Sequence, residues 1–95
     1  MTTFNDDNSK DELVERLASI EHERWSHWQS YLHGKGQRQP DGSLVLPSEL
    51  VERWERQIQT PYERLTDAEK ASDREQVQKY FPVVEDYFRR ARREQ

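Results

Sequence analysis

Five charged residues stand where apolar ones are expected, and they are the first candidates for chemistry. On a helix at about 100° per residue, Leu13, Leu17, Ile20, Trp28 and Tyr31 fall along one stripe, widened by Val14, Trp25 and Leu32. Glu21 lies about 20° from the middle of that stripe and Arg24 about 40°. A second helical pattern, opening at Thr66, repeats the breach. Val77, Tyr80 and Phe81 define its apolar side, and Lys70, Asp73 and Arg74 fall within the same arc. An unpaired buried charge costs several kcal/mol, more than a domain this small tolerates. These groups must pair, reach solvent or meet a ligand. Glu21 with Arg74, or Asp73 with Arg24, would be core ion pairs. The alternative is a polar pocket between the two helices, with Lys70 and Arg74 turned to an anionic group.

Other chemistry is poorly supplied. His22-Glu23-Arg24-Trp25-Ser26-His27 looks like a zinc-protease motif with one residue too many. Its histidines are five positions apart and point roughly 140° away from each other, so no metal is expected. There is no Gly-rich phosphate loop, no nucleophile elbow and no cysteine for thiolate chemistry. Glu21 could serve as a general base, yet no second catalytic group stands at a recognisable spacing. A non-enzymatic protein without a cofactor is expected.

Trp28 and Trp54 lie on apolar stripes and are expected in the core. Trp25, at the edge of its stripe beside His22, is placed either to pack or to wall a pocket and stack on a flat ligand.

The elements that must position these residues are helical. Ser9 reads as an N-cap with Glu12 completing a capping box, and the first helix should run to about His33, ended by Gly34 and Gly36. Residues 1–8 read as a disordered leader and 9–95 as a single domain. A polar loop follows, with turn chemistry at Pro40-Asp41-Gly42-Ser43 and a brief extended run, Leu44-Val45-Leu46, too short to suggest a sheet. A second helix should start near Pro47-Ser48-Glu49 and end before Pro61. Pro61 to Leu65 allows one turn at most. Thr66-Asp67-Ala68-Glu69 is a second capping box, and Pro82 either opens a fourth helix at its N1 position or kinks a continuous one, the new helix being favoured. The expected fold is all-α: a compact bundle of about four helices with an irregular loop after the first.

Composition narrows the partners. Of 95 residues, 36% are charged and 32% hydrophobic, close to the disordered regime, so the expectation of a fold rests on periodicity and on ten aromatic residues. A net charge of −4 argues against nucleic acid. The basic run from Arg89 to Arg93 suits the end of a helix dipole. No stretch suggests a membrane span or a signal peptide, and a cytoplasmic location is expected.

Glu21-His22-x-x-Trp25, Pro61-Tyr62-x-x-Leu65, Glu69-Lys70-x-x-Asp73-Arg74-x-x-Val77 and Pro82, in that order, resemble the RyR domain. This is the small helical module of ryanodine receptors, also found singly in bacterial and phage proteins. The likeness covers residues 15 to 85 in outline, and the helix at Pro47 to Gln59 reads as an insertion in that pattern. The resemblance implies a helical module that recognises or sequesters a small anionic, nucleotide-like ligand. The matching positions here are Glu21, His22, Trp25, Pro61, Tyr62, Lys70, Asp73 and Arg74, all but Pro61 being candidate ligand contacts. In that arrangement Lys70 and Arg74 would meet the anion, Trp25 and Tyr62 would supply flat walls, and Glu21 and His22 polar contacts. The alternative is a structural or protein-interaction domain that forms a homodimer or docks on a partner protein.

Overall fold

A computed structural model describes residues 6–93. Its elements, in order, are α1 (Asp6–Lys35), β1 (Gln37–Arg38), β2 (Leu44–Val45), α2 (Ser48–Gln59), a single 3₁₀ turn (Tyr62–Arg64) and α3 (Asp67–Arg93). The protein is predominantly helical, as expected, but it is not a four-helix bundle. Among the described residues there are three α-helices and one two-stranded ladder.

The missing fourth helix is explained by Pro82, which lies inside α3 rather than at the start of a new helix. A proline there cannot donate to the carbonyl of Gln78, at a cost of about 3 kcal/mol in an isolated helix. Apolar residues continue at helical spacing on both sides of it, from Val77 to Phe88, and the helix runs through the proline without interruption. The start of α1 also differs. Asp6, Asp7 and Asn8, read as part of the leader, are helical, so Ser9 stands inside the first turns instead of capping them. Ser9 is buried and is the one residue of that class among the described ones. Positions 1–5 of the expected leader lie outside the described residues.

The chain divides into two compact units. The first comprises the described residues up to Arg24 and those from Asp73 onward. Here α1 and α3 run antiparallel. Arg16 pairs with Asp86 at 3.1 Å, and Tyr80 reaches Glu21, so advancing along one helix means retreating along the other. Leu13, Leu17, Ile20 and Arg24 form the less exposed side of α1, and Gln76, Tyr80, Val83 and Tyr87 that of α3. No described apolar residue is fully buried. The core expected along α1 is therefore a half-covered seam.

The second unit spans Trp25–Ser72. The segment after α1 is not irregular throughout. Gln37 pairs with Val45 and Arg38 with Leu44 in an antiparallel ladder. The turn between them closes through the Gln39 amide donating to Ser43 and the Gly42 amide to Gln39, at 2.7 and 2.9 Å. Gly42 sits at φ 90°, a conformation that favours glycine, and Asp41 accepts from both the amide and the hydroxyl of Ser43. A side chain at Gly36 would meet Cβ of Leu44 at 3.1 Å, so glycine permits the chain to turn back so closely. The ring of Trp54 on α2 meets Trp28 edge-on at 5.5 Å, and Tyr31 stacks on Trp28 at 5.6 Å. Trp28 and Tyr31 nevertheless stay 41% and 43% exposed, more open than core residues.

The capping box at the start of α3 forms as the sequence indicates. The Glu69 amide donates to Oγ1 of Thr66 at 3.1 Å, and the Thr66 amide to the Glu69 carboxylate at 2.9 Å. Loss of such a cap costs about 1 kcal/mol. Thr66→Ala is expected to lower the thermal midpoint by roughly 4–8 °C, the shift that energy produces in a domain of this size. Circular dichroism melting checks this, and an unchanged midpoint would show that the cap is not holding the helix.

Candidate functional site

The seven residues singled out in the sequence are divided between the units. Glu21, His22, Asp73 and Arg74 belong to the first, and Trp25, Tyr62 and Lys70 to the second. Each group has its own geometry.

In the first unit, Glu21 is the hub of a polar clasp. Nε of Arg24 donates to its carboxylate at 3.0 Å, and a second guanidinium nitrogen donates to the other oxygen. The Tyr80 hydroxyl donates to the carboxylate from α3. The breach in the apolar stripe is therefore closed by a neighbour one turn along the same helix and by a phenol across the helix pair. Helix geometry makes this affordable: residues three apart share a face, and both charged side chains keep a little under half of their surface in water. The hydrogen bonds from Arg24, then from Tyr80, hold the Glu21 carboxyl at about 2, against an ordinary value of 4.5. Its bond to Glu21 in turn raises Arg24 above the usual guanidinium range. The Tyr80 phenol is pushed up, first by its bond to Glu21 and then by burial. His22, Asp73 and Arg74 are exposed.

Its spacing places Tyr80 on an apolar face, and the bond of its hydroxyl to Glu21 is a tertiary feature that spacing alone does not reveal. The available signal was its amphipathic character: a tyrosine on a half-buried stripe brings a hydroxyl that needs a partner. Arg16 and Asp86, which tie α1 to α3 lower down the pair, gave no such signal, because isolated surface charges are unremarkable in a chain so rich in them.

In the second unit, Lys70 and Tyr62 come together. The Lys70 ammonium stands over the Tyr62 ring, 5.8 Å from its centroid, within cation–π range. Two local structures position the pair. The 3₁₀ turn is closed by the Arg64 amide donating to Pro61 and the Leu65 amide to Tyr62, which fixes the backbone that carries Tyr62. The capping box fixes the first turn of α3, where Lys70 follows Glu69. Gln57 on α2 also donates to the Glu69 carboxylate at 2.6 Å. With the amide and hydroxyl of Thr66 as the leading causes, this holds Glu69 below the usual carboxylate range. The acid beside Lys70 is thereby kept ionised and occupied by the backbone. Trp25 is 54% exposed, open enough to offer an indole face.

Among the described residues no three His, Asp or Glu side chains come together as a metal site, and no helix is long and apolar enough to cross a membrane. No protein-family model, curated protein or solved structure shows a significant match to this chain.

The clasp has a pH signature. A carboxyl whose pKa falls on folding contributes stability that is complete above its ordinary value and is lost as the pH drops through the folded value. Glu21→Gln should melt below the wild type near neutrality. The gap should shrink between pH 4.5 and about 2 and close below that. Thermal melts of both proteins across this range test the clasp. A gap that does not change with pH would show that Glu21 acts by packing alone.

Proposed function

We propose that the protein is a non-enzymatic, RyR-like binding module, acting in the cytoplasm, that takes up a small anionic ligand of nucleotide type. The observation that carries this is the Lys70–Tyr62 pair. Over an aromatic ring, an ammonium keeps N–H groups that a phosphate or carboxylate can accept from, while the ring beside it offers a surface for a flat group. Trp25 adds an accessible indole. The sequence pattern resembling the RyR domain includes these same residues.

A catalytic role is disfavoured by the state of Glu21. A general base works best when its pKa lies near the operating pH, and a carboxylate held at about 2 is a weak proton acceptor at neutrality. Its bonds to Arg24 and Tyr80 suit an architectural part better than a proton shuttle. A binder of this size, without a catalytic group, would act by sequestering its ligand or by passing the bound state to a partner.

Thermal-shift measurements against nucleoside mono-, di- and triphosphates and cyclic dinucleotides test the proposal, with inorganic phosphate as the anion without a base. At least one nucleotide is expected to raise the midpoint. Ligand at a hundred times its Kd stabilises by about 2.7 kcal/mol, worth well over 5 °C in a domain of this size. Lys70→Ala should abolish that shift while leaving the midpoint of the free protein within a degree or so. No response across the panel, or a shift that persists in Lys70→Ala, would overturn the assignment.

A further inference from the structure

Helix α2 covers a polar residue and leaves its apolar neighbour open. Leu50, Val51, Trp54 and Gln57 form its half-covered side, while Ile58 is 82% exposed. Ile58 stands four positions after Trp54, a spacing that would also have brought it to the covered side. The place goes instead to a glutamine, whose amide must then find partners. Where an apolar pattern is broken in this way, the gain lies in what the polar group holds.

Gln57 holds both ends of the segment that carries Tyr62. Its backbone carbonyl accepts from the Thr60 amide at 3.2 Å, where the chain leaves α2. Its side-chain amide donates to one carboxylate oxygen of Glu69 at 2.6 Å, a part-buried bond across 12 positions of sequence. The other oxygen of Glu69 accepts from the Thr66 amide at 2.9 Å, and the Lys70 amide donates to the Thr66 carbonyl at 2.9 Å. The 3₁₀ turn with Tyr62 lies inside the loop that Gln57 and Glu69 close, and Lys70 is the next residue after it. A charged acceptor strengthens the closing bond, and partial burial limits competition from water. Helix α2 is itself anchored one turn earlier, where Trp54 meets Trp28 edge-on. All of these residues belong to the second unit.

We propose that Gln57 is the positioning residue of the Lys70–Tyr62 pair: by holding Glu69 it fixes the first turn of α3 against the 3₁₀ turn, so that the Lys70 ammonium stays over the Tyr62 ring. That the positioned pair receives an anion rests on the proposed function, and the test is therefore made without ligand.

An aromatic ring displaces the proton resonances of groups held over its face to higher field, which reports the contact directly. In the purified full chain, the Lys70 ε-methylene protons should resonate upfield of their position in Tyr62→Leu, which has no ring. Gln57→Leu, of similar size but without the donor, should lose more than half of that difference. Gln57→Lys, which restores a donor, should keep most of it. A purely architectural Gln57 would lower the thermal midpoint when replaced and leave the Lys70 resonance where it is. If Gln57→Leu loses helicity by circular dichroism, Gln57→Glu, which keeps the shape and removes the donor, is read in its place. The inference is overturned by a full difference in the donor-free variant with its helices intact, or by a loss in Gln57→Lys as large as in Gln57→Leu. Equal resonances in the wild type and Tyr62→Leu would overturn it too. Because no ligand is present, a silent nucleotide panel removes only the ligand assignment, and an unmoved Lys70 resonance only the positioning.

Discussion

The shortage of apolar residues is the constraint on which everything else depends. At 32% hydrophobic and 36% charged, the chain cannot fill the interval between two long helices with aliphatic side chains. Burying a Leu or Phe completely yields about 1.5–3 kcal/mol, and no described apolar residue is covered to that extent. The α1–α3 pair is held instead by a half-covered apolar seam and by polar bonds placed along it. Arg16 with Asp86 and Tyr80 with Glu21 fix the register of one helix on the other, because each bond has one geometry whereas a sparse apolar contact tolerates sliding. Exposed ion pairs contribute little to stability, typically under about 1 kcal/mol each, so their value here lies in specifying the pairing.

The second unit meets the same shortage by other means. Aromatic rings supply area where aliphatic residues are few, and Trp28 holds Trp54 and Tyr31 at ring-contact distances. Backbone hydrogen bonds then do what packing does elsewhere: a two-residue ladder closed by Gly42, a 3₁₀ turn at Tyr62 and a reciprocal cap at Thr66 each satisfy their own polar groups. The consequence is that Tyr62 and Lys70 stand on locally fixed backbone. The Lys70–Tyr62 contact is thus pre-positioned without a deep core beneath it, which under the proposed function lowers the ordering cost of taking up a ligand.

Features encoded within a few residues were legible in the sequence. The Thr66–Glu69 box, the end of α2 before Pro61 and the turn at Pro40–Ser43 are each set by neighbours, and each is found. Features set by tertiary context were not. Pro82 is a local stop signal, yet α3 continues through it. Ser9 has the chemistry of a cap, but the helix extends past it into Asp6–Asn8. The Gln37–Arg38 strand lacks alternation and exists only because Leu44–Val45 is folded back against it. The charges on the two stripes resolve differently: the wheel places Glu21 near the apolar centre whereas the folded helix turns it to the flank, between Arg24 and Tyr80, while Asp73 and Arg74 are exposed, on the same open side of α3 as Val77 and Phe81. Lys70 and Tyr62, which lie in separate expected elements, meet in a contact that joins the 3₁₀ turn to the first turn of α3.

If polar bonds rather than buried apolar area set α1 on α3, the partners across the helix pair must be energetically coupled. The direct measurement is a double-mutant cycle of Glu21→Gln and Tyr80→Phe, read by thermal melting near neutral pH. The two substitutions together are expected to lower the midpoint by clearly less than the sum of their separate effects, because either one alone already breaks the bond. Strictly additive effects would contradict this, since they would mean that the two side chains stabilise the pair independently.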